Sequence, residues 1–268
     1  MSDSVAAQAQ TKNLPRSEWV LGFTVFLLFA LPVAEFGLLA KLGWKGLPVY
    51  LVQALLYVIF YGLAWWGLTT EKARLPFNAR IVEQTALIAG AAWVAYALLI
   101  AVTGLAHPLA ELREWSSRPL PLLAQAAMMW LLVGMAEELV FRGYLLRSLQ
   151  RLFKGRTATA VVVSSLVYSL WHLPNRAFQA ARGEISAGEL AVNLSLLFVL
   201  GLALAYVFVR SRNILLVGLL HGLLDFPLIG TRIHSLVSPA LIMVVIAILG
   251  VELAARVGWS DEPARASA

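Results

Sequence analysis

Gly134-Met135-Ala136-Glu137-Glu138-Leu139-Val140-Phe141-Arg142-Gly143-Tyr144 lies inside an apolar run that extends from Leu120 to Leu146. Two adjacent carboxylates and an arginine in a hydrophobic helix need a reason. On insertion scales each such charge costs about 2.5–3.5 kcal/mol at the bilayer centre. A segment that had only to span a membrane would carry Leu instead. On an α-helix Glu138 and Arg142 are i and i+4, so they share a face and can neutralise each other. Glu137 lies about 100° round from Glu138 and is left to point elsewhere, free for chemistry.

The composition around this stretch is that of a membrane protein. Of 268 residues, 60% are hydrophobic and only 13% charged. The mean hydropathy is +0.78. No large soluble domain fits beside the apolar segments. The net charge is +6, but the Lys and Arg fall between apolar runs, as topology determinants do. That argues against a nucleic-acid partner and for the lipid bilayer. The absence of Cys removes disulfides, thiolate metal sites and a Cys nucleophile.

Residues 1–18 are polar and read as a disordered tail. The first apolar run, Trp19–Leu39, is long and lacks a small-x-small cleavage site, so it reads as an uncleaved span, with Pro32 as a kink. Seven further runs follow: Leu47–Leu68, Ile81–Leu105, Leu120–Leu146, Thr157–Leu173, Leu190–Val209, Ile214–Ile229 and Leu236–Val257. Most can cross a hydrocarbon core of about 30 Å. The expected architecture is all-α: a polytopic transmembrane helical bundle of about eight spans over residues 19–257, with a C-terminal tail at 258–268.

Further polar residues lie inside the apolar runs. His172 lies near the end of the fifth run, in Tyr168-Ser169-Leu170-Trp171-His172. His221 and Asp225, in His221-Gly222-Leu223-Leu224-Asp225, are i and i+4 on one face. Runs four and five form a hairpin turning near Lys154-Gly155. Glu137 and His172 are each about 17 residues, or roughly 26 Å of helix, from that turn, which predicts similar depth. The Trp residues, such as Trp65 and Trp66, read as interfacial belt residues.

These residues carry a resemblance. Glu137-Glu138-x-x-x-Arg142 resembles the EExxxR motif of the CAAX-protease and bacteriocin-processing (CPBP) family of intramembrane proteases. Tyr168-x-x-x-His172 resembles its FxxxH motif, with Tyr for Phe. His221-x-x-x-Asp225 resembles its HxxxN or HxxxD motif, with Asp where Asn is commoner. The order is the family's, and the resemblance spans residues 120–229, the expected catalytic core. It implies hydrolysis of a peptide bond in a membrane-associated protein or peptide substrate. Eukaryotic members remove the last three residues of prenylated CAAX proteins. Prokaryotic members are assigned to bacteriocin maturation or self-immunity.

For amide hydrolysis the residues suggest Glu137 as general base, His172 holding the same water, Glu138–Arg142 positioning the site, and His221, supported by Asp225, donating to the oxyanion. This version needs no cofactor. A zinc version would use Glu137, His172 and His221 as three ligands with an open water position. A membrane transporter or immunity protein without catalysis is a third reading, since intramembrane Glu, His and Arg also make proton relays.

Charge counting orients the chain. With the N-terminus inside, the inner segments hold Lys12, Arg16, Lys72, Arg74, Arg80, Arg147, Arg151, Lys154, Arg156, Arg210, Arg212, Arg256 and Arg265, which makes 13. The outer loops hold Lys41, Lys45, Arg113, Arg118, Arg176, Arg182 and Arg232, which makes 7. The bias predicts a multi-pass protein of the cell membrane with both termini cytoplasmic. Reporter fusions at Lys154 and at the C-terminus are expected to report the cytoplasmic side. A C-terminal reporter active outside would overturn the orientation.

Overall fold

Lipid offers the backbone no hydrogen-bond partner, so a spanning segment must satisfy its own amides, and a helix does so. The computed structural model describes residues 14–42, 47–117, 119–230 and 237–258; among these there are helices and turns and no strand. In chain order they are α1 (Leu14–Leu42), α2 (Leu47–Thr70), α3 (Ala79–Val102), α4 (Pro108–Ser117), a long helical stretch α5 (Pro119–Leu152), α6 (Thr157–Trp171), α7 (Leu173–Ala181), α8 (Ala187–Ser211), α9 (Ile214–Asp225) and α10 (Val237–Arg256). The fold is an all-α polytopic bundle.

Several boundaries differ from the sequence reading, each for a local reason. Helix α1 starts at Leu14, inside the expected tail, because Pro15 suits a first helical turn. The rest of both expected tails, residues 1–13 and 259–268, lies outside the described residues. Among the described residues, five stretches are long and apolar enough to cross a membrane: Ser17–Glu35, Leu51–Thr70, Ala79–Val102, Pro119–Leu152 and Ala187–Ser211. Helix α6 has 15 residues and α9 has 12. The run expected to reach Ile229 stops at Asp225, because Pro227 has no amide to donate and disfavours helix in the residue before it.

The stretch α5 is not one regular helix. It is α-helical over Pro119–Ala127, π-helical over Met128–Gly134, α-helical over Met135–Glu138, π-helical over Leu139–Leu145 and α-helical over Leu146–Leu152. Both glutamates thus sit on a single α-turn between two widened segments, a geometry frequent at functional sites.

The chain divides into two compact units, Met1–Arg74 with Gly143–Gly201, and Leu75–Arg142 with Leu202–Ala268. In the first, α1 packs on α2, α6 and α7, and the end of α5 packs on α6. Gly67 gives room to the Tyr144 ring: a Cβ there would lie 2.5 Å from it. The Glu71 carboxylate accepts from Ser148 Oγ at 2.5 Å and pairs with Arg151. Ser169 Oγ donates to the Leu194 carbonyl at 2.6 Å.

In the second unit α3 packs on α9 and α10, and α9 packs on Met128–Glu138 of α5. Asn213 starts α9 and ties it to α3. Its Oδ1 accepts from the Leu216 amide at 2.9 Å, and its Nδ2 donates to the Ile81 carbonyl at 3.1 Å. Arg210 holds Glu252 through Nε at 2.7 Å and Nη2 at 3.1 Å, joining α8 to α10. The outward side chains of both units, among them Phe26, Leu55, Val58, Leu98 and Leu253, are large and apolar. Lipid accepts such a surface.

Helices α5 and α9 meet through glycine. A Cβ on Gly134 would lie 2.6 Å from the Gly218 carbonyl oxygen and the Gly222 amide nitrogen. A Cβ on Gly222 would lie 2.5 Å from Trp130 Cα. Backbone cannot yield as a side-chain tip can, so Gly134→Ala and Gly222→Ala are each expected to destabilise by about 1–3 kcal/mol or more. A Cβ at Gly90 meets nothing within 4 Å. Gly90→Ala is expected to be neutral, or stabilising by about 0.5–1 kcal/mol. Thermal midpoints of the three variants in one detergent check this ordering.

Candidate active site

The second unit brings Glu137, Glu138, Arg142, His221 and Asp225 together. Close contact through Gly134, Gly218 and Gly222 lets the α5 turn Met135–Glu138 lie against α9 at His221. Glu138 and Arg142 are both buried, and Arg142 Nη1 donates to Glu138 Oε1 at 2.7 Å. The same oxygen also meets His221 Nδ1 at 2.8 Å. One carboxylate oxygen therefore receives a guanidinium and an imidazole from two helices. Glu138 Oε2, on the other side of the carboxyl group, is buried with no hydrogen-bond partner among the described residues.

This fixes the direction of the His221 ring. With Nδ1 on Glu138, its other nitrogen, Nε2, faces Glu137 Oε2 at 3.6 Å and Asp225 Oδ2 at 3.6 Å. The sequence reading gave the support of His221 to Asp225. The structure gives the short contact to Glu138, because α9 presents the ring sideways to α5 while Asp225 sits one turn along. Glu137 is buried, whereas the Asp225 side chain is 38% exposed. Asp225 is thus the carboxylate of the group that the surroundings can reach.

His172 belongs to the first unit. It closes α6, its Nδ1 lies 2.9 Å from the Tyr168 carbonyl oxygen, and its ring stands edge-on to those of Tyr168 and Trp171. Among the described residues no group of three or more His, Cys, Asp or Glu side chains is placed to hold a metal ion.

Over residues 226–230 the chain is non-helical, and its backbone is satisfied by side chains that the sequence reading passed over. The Phe226, Pro227 and Leu228 carbonyls accept from the indoles of Trp130 at 3.0 Å, Trp93 at 2.6 Å and Trp115 at 2.8 Å. The Ile229 carbonyl accepts from Tyr96 OH at 3.1 Å, and the Gly230 amide donates to Glu111 at 2.7 Å. The signal was available: a Pro in a membrane segment frees carbonyls that need donors, and Trp supplies one within an apolar body.

A family described as type II CAAX prenyl endopeptidase, Rce1-like, matches residues 119–227. Those residues form a Rce1-like domain. The match begins at the first residue of α5, ends two residues past Asp225, and contains all three motifs. No curated protein and no solved structure matches the chain. At family level the Rce1-like domain is that of a membrane-embedded CAAX-type endopeptidase acting on protein.

Because Glu138 Oε1 serves two partners, Arg142→Ala leaves a buried carboxylate short of its cation. That variant is expected to lose about 3–5 kcal/mol. Glu138→Ala leaves the cation unpaired and is expected to be similarly damaging. The double variant Glu138→Ala/Arg142→Ala should lose clearly less than the sum of the two. A thermal-unfolding cycle measures this, and additive losses would mean that the two side chains do not act as a pair.

Proposed function

We propose that the protein is an intramembrane endopeptidase in which the Glu137 carboxylate activates water against a peptide carbonyl. The observation that carries the reading is the placement of Glu137 Oε2 and His221 Nε2 opposite each other at 3.6 Å, with the imidazole fixed from behind by Glu138. A carboxylate can take a proton from water, and an imidazolium N–H beside it can donate to the oxygen that becomes negative.

In the proposed step Glu137 removes one proton from water as the water oxygen bonds to the carbonyl carbon. The carbonyl π-pair moves onto oxygen, where His221, donating from Nε2 in its protonated form, stabilises it. On collapse the C–N bond breaks, and the proton held by Glu137 passes to the leaving nitrogen. Arg142 acts through Glu138, and Glu138 acts through His221. Asp225 stands on the other flank of Nε2, at 3.6 Å. His172 is assigned to the reaction by its motif and by the depth that its spacing from the turn predicts. No metal enters this step, and the substrate class is a membrane-associated protein or peptide, prenylated in the form suggested by the family description.

Purified protein in lipid nanodiscs is to be assayed with a farnesylated peptide ending in a CAAX box. Glu137→Gln is expected to remain folded and to lower turnover at least about 10²-fold, the scale of general-base loss. Near-normal cleavage by Glu137→Gln would overturn the assignment. Elemental analysis of the active protein tests the metal-free step. Stoichiometric zinc, with activity lost on chelation and regained on adding Zn²⁺, would replace it.

A further inference from the structure

We propose that Trp130 is a positioning residue of this site: its indole N–H, bonded to the Phe226 carbonyl, fixes the end of α9 against the turn of α5 that carries Glu137 and Glu138. The inference rests on the hydrolytic reading above. Asp225 is the last residue of α9, and Phe226 is already extended, at φ −145° and ψ 88°. The Phe226 amide still closes the last turn by donating to the Gly222 carbonyl at 2.8 Å. Its carbonyl has no helical partner, and the indole of Trp130 supplies one at 3.0 Å.

The loop beyond is an improbable conformation held in place. Leu228, at φ +71°, and Gly230, at φ +70°, are both left-handed, and for Leu the side chain opposes it. The contacts from Trp93, Trp115, Tyr96 and Glu111 hold this loop from α3 and α4. Neither helix carries a charged member of the site. Trp130 differs. It stands seven residues before Glu137 on α5, and its backbone lies in the gap left by Gly222, one residue after His221. It alone of the three indole donors joins the helix of the base to the helix of the imidazole.

The consequence falls on Asp225. Its Oδ2 and Glu137 Oε2 flank the same nitrogen, His221 Nε2, each at 3.6 Å. If the Phe226 carbonyl loses its donor, the last turn of α9 opens and Asp225 moves out of register with that nitrogen. The loss falls on the chemical step and spares substrate binding.

The test replaces Trp130 in the full-length protein with β-(3-benzothienyl)alanine, an isostere with sulfur in place of N–H. The same replacement at Trp115 removes a bond of the same kind from the same loop. In nanodiscs, the isostere at 130 is expected to lower kcat on the farnesylated peptide by about tenfold or more, the scale of a small misplacement. KM and thermal midpoint should stay near wild type, and the isostere at 115 should have a clearly smaller effect on kcat. Hydrogen exchange of the Phe226 amide should quicken in the 130 variant alone. Unchanged kcat, or equal losses from the two isosteres, overturns the inference. If wild type cleaves no such peptide, the hydrolytic reading is what has failed. Exchange at Phe226 then decides the tether by itself: unchanged exchange refutes it, and selective quickening upholds it.

Discussion

One carboxylate oxygen, Glu138 Oε1, holds this arrangement together. It takes Arg142 from its own helix and His221 from another, both within ordinary charge-assisted hydrogen-bond distance and all three side chains buried. Inside an apolar protein neither charge is tolerable alone. The Arg142–Glu138 pair makes the carboxylate affordable in lipid, and the carboxylate in turn aims the imidazole. The direction of His221 Nε2, and hence its facing Glu137 and Asp225, follows from that one acceptor.

The contact needs two helix backbones to approach closely, and glycine permits it. Gly134 on α5 lies against Gly218 and Gly222 on α9, which are four residues apart. Small residues at that spacing are a common device for close helix approach in membranes, where apolar burial against lipid gives little drive. The π-helical segments on either side of Met135–Glu138 belong to the same local geometry. They interrupt the regular α-helical rotation on both flanks of the acidic turn.

What the sequence made legible follows from what lipid makes expensive. Charges in apolar runs stand out, so Glu137, Glu138, Arg142, His221 and Asp225 could be read directly, and the Rce1-like match covers them. The i, i+4 relation of Glu138 and Arg142 was likewise plain. Partners across helices were not. In a membrane bundle the lipid face is as apolar as the core, as exposed Leu98 and buried Ile100 on α3 show, so periodicity does not reveal which face turns inward. That is why the His221–Glu138 contact was missed in favour of the local His221–Asp225 pair. Trp93, Trp115 and Trp130 escaped for a related reason: an indole at the interface and one capping a carbonyl look alike in sequence. The apolar run continues through Phe226-Pro227-Leu228-Ile229, while the helix stops at Asp225, so hydrophobicity alone does not mark the end of α9.

The shortness of α9 has a consequence for geography. Twelve residues rise about 18 Å, against a hydrocarbon core of about 30 Å. With Arg210 and Arg212 beside Asn213, the proposed reading puts the start of α9 at a membrane surface. On the proposed reading Asp225 stands partway through the bilayer. The helix acts as a measuring rod, and on the proposed reading its length sets how deep in the lipid a peptide bond must be carried before it can be cut. A bond at that depth in a substrate must also be freed from its own helix, because the carbonyl that water attacks is otherwise shielded by its neighbours.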